Sequence, residues 1–266
     1  MFELVSEIGV SIASNVAQFI AGCLLSIPLY YFAEKKLKNI KPGVAGDILL
    51  IAAFSLLGAA LPLGPYGVVP LFGALVSAGL RPFAALPLLA ANSVFNMLIP
   101  YNDVSFAWRL GAKRVVLALA AAILAGLLLR MLKDGGRSLL RAGGINAPGV
   151  IAGGKIKVLS ILSANIGLAG PFVIVGVSFD VILHKYLWWD IITFITHNSY
   201  TDFLPGFFAR YNVANPFFLL AITLAFVLLD LARTSAYAVI FRLKGLVIYY
   251  AYFAALILLL GISAFI

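Results

Sequence analysis

The sequence predicts an all-α integral membrane protein, an inverted-repeat helical bundle in which two broken, re-entrant hairpins meet near the midplane. Three observations lead there. The 266 residues are 63% hydrophobic and 11% charged, with a mean hydropathy of +1.08, far outside the range of soluble chains. Apolar runs at 10–32, 48–63, 115–132, 158–183, 217–231 and 246–266 approach spanning length, which is about 20 residues for a hydrocarbon core of about 30 Å. Two further stretches are apolar yet studded with proline and glycine, and they match one another in order.

The net charge of +9 sits mainly in loops, where it is a topology signal before it suggests acidic partners. No aromatic and basic soluble module is present to hold a nucleic acid. Cys23 is the only cysteine, which excludes an internal disulfide or a thiolate cluster within one chain. In the first apolar helix it reads as a small packing residue. The N-terminal stretch MFELVSEIGVSIASN lacks the basic start and small-residue cleavage site of a signal peptide, so the first helix is expected to be retained. Residues 1–266 then form a single membrane domain, with a first repeat at 1–132, a basic cytoplasmic connector at 133–157 and a second, inverted repeat at 158–266.

Helix one is expected at 8–32. Ser11, Ser14, Asn15 and Gln18 share one of its faces, which should look into the bundle. It ends at Lys35, Lys36, Lys38 and Lys41, a basic loop that the positive-inside rule puts in the cytoplasm, with the N-terminus outside. A second helix at 44–61 delivers the first broken stretch, LPLGPYGVVPLFGALVSAGLRPFAALPLLAANSVFNMLIP at 61–100. Its prolines remove backbone donors and its glycines allow close approach, so it should avoid lipid and form a hairpin with arms at 68–78 and 83–99 and a tip at 79–82. The next helix, at 110–132, returns to the connector bearing Lys133, Arg137, Arg141, Lys155 and Lys157. Helix five, at 158–183, is followed by an interfacial piece at 186–196 carrying Trp188 and Trp189, and then by the second broken stretch.

In that second stretch TDFLP at 201–205 answers YGVVP at 66–70, and NPF at 215–217 answers RPF at 81–83. Pro82 precedes Asn96 by fourteen residues, as Pro216 precedes Asp230, and RLKG at 242–245 answers RLGAK at 109–113. The common order argues for duplication. Three crossings and a hairpin per half would invert the second copy and leave both termini outside. Arg210, Arg233, Arg242 and Lys244 then fall toward the cytoplasm, as the charge rule asks, whereas Arg109, Lys113 and Arg114 fall outside, against it.

LLGAALPLGPYGVVPLFGALVSAGL at 56–80, with the long helix and basic RLGAKR turn that follow, resembles the YraQ-like predicted permeases, relatives of bacterial organoarsenical efflux permeases. The resemblance covers most of both halves. Members of that family often carry Cys-Ser-Cys-Gly where Gly64, Pro65, Tyr66 and Gly67 stand here, or at the second-half equivalent, Ser199, Tyr200, Thr201 and Asp202. Arsenic(III) favours thiolate. The resemblance therefore implies a transporter for an unassigned small solute.

Candidate chemistry gathers at the hairpins. Short arms starting near Tyr66, Gly67 and Pro70, and near Ser199, Tyr200 and Pro205, would present helix N-termini suited to an anionic or strongly polar solute, or these groups would only cap the arms. Asn92, Ser93 and Asn96 fall on one face of the long arm, with Asp230, Arg233 and Thr234 at the equivalent face of the second repeat. An ionisable group in an apolar span is a functional candidate by default, so Asp230, with Arg233 one turn away, is expected to couple transport to protons or to form a static pair. His197 is a further gate or proton group. Asp180 and Asp190 read as solvated, and the spacing of His184 and His197 supplies no metal site.

The function expected is a secondary permease moving a small polar or anionic solute by alternating access in a prokaryotic inner or plasma membrane, not an enzyme and without a cofactor. Expected partners are the lipid bilayer, the solute and, as an open option, a second copy in a homodimer. The alternatives are an intramembrane lipid-phosphate enzyme of the undecaprenyl pyrophosphate phosphatase type, whose clustered acids and Gly/Ser/Arg phosphate loop are missing, and a non-transporting scaffold. No ATP-binding loop is present either, so a primary pump would need another chain.

Overall fold

A computed structural model describes residues 2–37, 43–95, 104–141, 158–183, 221, 224, 228 and 230–263. Its described elements are helical: α1 (Phe2–Phe32) with a π-helical turn at Ala33–Leu37, α2 (Val44–Ala60), α3 (Pro65–Ser77), α4 (Pro82–Phe95), α5 (Val104–Arg130), a 3₁₀ turn (Arg137–Leu139), α6 (Val158–Leu183), α7 (Leu231–Ala238) and α8 (Leu243–Ser263). Three helical segments, Glu3–Lys36, Ile166–Leu183 and Leu243–Ser263, are long and apolar enough to cross a membrane. Apolar side chains such as Val10, Leu49, Leu56, Val116, Val175 and Leu258 cover the outside, as a bilayer requires.

The first broken stretch folds as an antiparallel helix pair whose arms start a few residues away from the expected points. Pro65, which has no amide hydrogen to leave unpaired, opens α3 at its first turn, so Pro70 lies in the helix interior and not at its start. Ala78, Gly79, Leu80 and Arg81 make the tip, and Gly79 takes φ 96°, where a Cβ would be strained. The arms have 13 and 14 residues, about 20 Å each, too short to span alone.

Glycine sets how the arms seat. A Cβ on Gly22 of α1 would lie 2.0 Å from the carbonyl oxygen of Gly67, and one on Gly58 of α2 would lie 2.3 Å from that of Leu88. Backbone therefore touches backbone along both seams, the small-residue packing of membrane helices. Gln18 pairs with Gly64 and Gly22 with Gly67, so α1 and α3 run parallel. Phe19 of α1 and Val68 and Val69 of α3 are buried, while Phe72 packs on Phe241.

The hairpin tip, the end of α5, the connector and the start of α8 share one end of the bundle. Phe83 N–H donates to Gly135 C=O at 3.1 Å, and Leu140 and Phe241 form an antiparallel bridge, flanked by bonds from Arg141 N–H to Ile240 C=O and Arg242 N–H to Leu139 C=O. Arg130 pairs with Asp47 at 2.7 Å, tying α5 to the start of α2. Arg81, Lys133, Arg137, Arg141, Arg242 and Lys244 are all exposed at this basic end.

Candidate functional site

The buried polar groups collect where the far half of α4 meets α7 and α8. Asn92 and Ser93, adjacent on α4, are both fully buried. Asn92 Nδ2 donates to Leu63 C=O at 2.9 Å and reaches those of Gly58 and Leu61 at 3.4 Å, which satisfies carbonyls left over where α2 ends. Its Oδ1 meets no hydrogen-bond partner among the described residues.

Ser93 is the hub of a hydroxyl cluster. Its Oγ donates to Leu89 C=O at 2.7 Å, leaving two lone pairs for the hydroxyls of Tyr237 at 2.7 Å and Tyr249 at 2.6 Å. The Ser93 carbonyl, two residues before the end of α4, accepts Nη1 of Arg233 at 2.5 Å. A guanidinium thus sits at the negative end of the α4 dipole, where a cation is favoured.

Arg233 is 2% exposed and needs compensation at that depth. Asp230 supplies it, with Oδ2 3.2 Å from Nη2. Asp230 does not continue a helical face as the sequence suggested; with φ −76° and ψ 98° it is the N-cap of α7, and its Oδ1 accepts the backbone N–H of Arg233 at 2.7 Å. Asp180 of α6 accepts the N–H of Leu231 at 3.0 Å, so it is half-buried at the same helix start and not simply solvated. Two carboxylates therefore converge on one start of a helix, against one guanidinium whose Nε has no partner among the described residues.

Tyr66 extends the cluster toward α6. It is fully buried, donates to Phe172 C=O at 2.6 Å and shares a hydrogen bond with Ser235 Oγ. Gly176 makes that meeting possible, since a Cβ there would fall on Ser235. Thr234 donates to Asp230 C=O at 3.0 Å and pairs with the Tyr250 hydroxyl.

Of the residues singled out from sequence, Ser93, Arg233 and Asp230 come together, Asn92 turns instead to the carbonyls at the end of α2, and Tyr66 reaches the same helix α7 through Ser235. Gly67 and Pro70 do not line an open site: Gly67 is pressed on α1, Pro70 is buried inside α3, and the Gly64 amide at the arm start is taken by Gln18 Oε1 at 2.7 Å. In the N-terminal half of α1, Ser14 is exposed, and Asn15 bonds to Ser11 C=O of its own helix instead of to a neighbour. Asn96, His197, Ser199, Tyr200 and Pro205 lie outside the described residues. Sequence reasoning missed Ser235, Tyr237, Tyr249 and Tyr250; the available signal was two clusters of hydroxyl residues, at 234, 235 and 237 of α7 and at 249, 250 and 252 of α8. Among the described residues no group of three or more metal-ligating side chains occurs.

Comparison with known proteins yields one match. The sequence model of the ArsP_1 family, described as predicted permease, matches residues 16–207. No curated protein and no solved structure matches the chain.

Proposed function

Because the chain belongs to the ArsP_1 family of predicted permeases, we propose that it is a secondary permease moving a small polar or anionic solute by alternating access. The observation that carries this reading is the buried Arg233–Asp230 pair at an interrupted helix, set against the carbonyl end of α4. Interrupted helices with charged groups at bilayer depth are how many transporters build solute sites. Arg233 Nε offers a donor and Asn92 Oδ1 an acceptor, both buried and both without a partner among the described residues. Each is unsatisfied capacity of the kind that a polar solute fills.

In this reading the solute is held by Asn92, Asn96 and Asp230, with Ser199, Tyr200 and Pro205 from the second of two re-entrant hairpins related by an inverted repeat, while Tyr66, Gly67 and Pro70 are spent on packing the first arm. Asp230, Arg233 and His197 couple and gate. Protonation of Asp230 cancels its charge, Arg233 loses its anionic partner, and an anionic solute takes the vacated side of the guanidinium. Proton and anion then travel together. The basic end faces the cytoplasm of a prokaryotic cell by the positive-inside rule, with both termini outside.

The test has two steps. Thermal-shift screening of the purified full chain against oxyanions and organic acids selects a stabilising solute, and its uptake is followed in proteoliposomes under a pH gradient. Asp230→Asn is expected to keep binding and lose the response to the gradient. Uptake by D230N that follows the gradient as the wild type does would end the coupling scheme, and no solute-dependent flux in the wild type would favour a scaffold.

A further inference from the structure

A cavity opens between α5 and α8 at the basic end, meeting the polar cluster at Tyr249. Its volume is about 370 Å³ and its lining is almost wholly apolar. Leu128 and Ile248 on its walls are 46% and 38% exposed, so it opens sideways toward the bilayer, while Tyr249 and Phe253 close its floor. The Tyr252 hydroxyl, the polar atom nearest to spoiling this surface, is committed to Ala121 C=O of α5. From Gly245 to Ala255 the groove follows eleven residues of α8, about 15 Å of helix and so the depth of one leaflet.

The rim differs sharply from the interior. Each of Pro82, Gly136, Leu140, Phe241 and Gly245 lines the groove, and each is next in sequence to an exposed cation: Arg81, Arg137, Arg141, Arg242 and Lys244 respectively. The acid nearest in sequence, Asp134, is engaged by the amides of Gly136 and Ser138. An apolar slot one leaflet deep whose lining residues adjoin five exposed cations matches a lipid with an anionic head.

We propose that this groove binds one anionic glycerophospholipid, an acyl chain lying between α5 and α8 and the phosphate head held by Arg137, Arg242 and Lys244. Basic pockets between membrane helices at the cytoplasmic side select anionic heads in this way. The bound lipid would bridge the connector to α8, and hence the two halves of the chain, independently of any solute.

Native mass spectrometry of the full chain, delipidated and then titrated with phosphatidylglycerol or phosphatidylcholine of identical acyl chains, tests this. One phosphatidylglycerol should be retained in preference to phosphatidylcholine. Arg137→Gln and Arg242→Gln should each weaken that retention about fivefold, the worth of one charge near a membrane surface, while leaving phosphatidylcholine unchanged. Ala255→Trp, which fills the groove from its exposed side, should abolish the retained lipid without touching the rim charges. Equal retention of the two lipids, or undiminished selectivity in both glutamine variants, would overturn the proposal. Thermal melts of the same variants separate lost binding from lost folding, because an unfolded variant loses its transition and a correctly folded one loses only the shift caused by phosphatidylglycerol.

Discussion

The seams of α1 with α3 and α2 with α4 are as buried as the junction of α4 with α7 and α8, yet they are built from opposite materials. At the seams, glycines let main chain touch main chain, and Gly22 and Gly58 have no room for a single added carbon. At the junction, side chains do the joining: a guanidinium, carboxylates and tyrosine hydroxyls, with donor and acceptor capacity left over on Arg233 and Asn92. A seam made by steric fit has one good arrangement, because a close-packed interior is little compressible and does not deform continuously. A junction of hydrogen bonds and charge can exchange partners. The comparison assigns rigidity to the first-half hairpin and the capacity to switch to the start of α7.

Removing one charge should give the largest effect. Arg233→Gln leaves Asp230 beside an apolar bundle without its cation, and breaking such a pair costs about 3–5 kcal/mol. Adding Asp230→Asn removes the stranded charge, so the double variant should regain much of the loss in a detergent thermal melt. A double variant as unstable as R233Q alone would show that the guanidinium serves chiefly α4 through Ser93, and the contrast with the glycine seams would lose its basis.

The seams should respond next, and without rescue. Gly22→Ala or Gly58→Ala forces a Cβ against a backbone carbonyl that cannot rotate away, and overpacking of this kind costs roughly 1–3 kcal/mol. Transport by the fraction that folds should keep its pH response, since the polar junction is untouched. If either alanine variant altered the response to a pH gradient while its melting temperature stayed at the wild-type value, the seams would not be rigid.

Hydroxyl deletions come third. Tyr237→Phe and Tyr249→Phe each remove one bond to Ser93 Oγ, and interhelical hydrogen bonds in membranes average about 0.6 kcal/mol. The pair should be less than additive, because both tyrosines share one acceptor. Full additivity in melting temperature would separate them into independent contacts.

How much of this was legible in the sequence follows from the same physics. The membrane class, α3 and α4 as a hairpin, and the partnership of Asp230 with Arg233 were all readable, since composition, proline position and an i, i+3 charge pair are local signals. The break before α7 was not, because LLDLARTSA carries neither proline nor glycine and only a carboxylate capping the chain reveals it. Tyr66 looked like a group awaiting solute. Its hydroxyl is instead spent on Phe172 and Ser235, partners more than a hundred residues away that no local pattern announces. Ser93 becomes a hub only once α7 and α8 have packed on α4, a fact of tertiary structure.

The smallest expected effect lies outside both regions and tests whether the connector is a fixed part of the bundle. Asp134 is exposed, and its carboxylate accepts hydrogen bonds from the Ser138 side chain and from the amides of Ser138 and Gly136, which bring its pKa from the ordinary 3.8 down to about 2. A carboxyl whose pKa falls on folding binds protons more tightly in the unfolded chain, so its stabilising contribution is present above the unfolded value and disappears as the pH drops through the folded one. The gap in melting temperature between wild type and Asp134→Asn should therefore be constant from about pH 5 upward, begin to close near pH 4, be mostly lost near pH 2 and vanish near pH 1. Full exposure keeps the gap small. Cleavage of the connector by an added protease should follow the same curve, because Gly135 holds α4 through Phe83 and the Leu140 bridge holds Phe241. A gap that widened on acidification would mean that the turn is held by something other than this carboxylate. The basic end would then owe its order to α5 and α8 alone, and the connector would no longer count among the parts that keep the two halves of the chain in register.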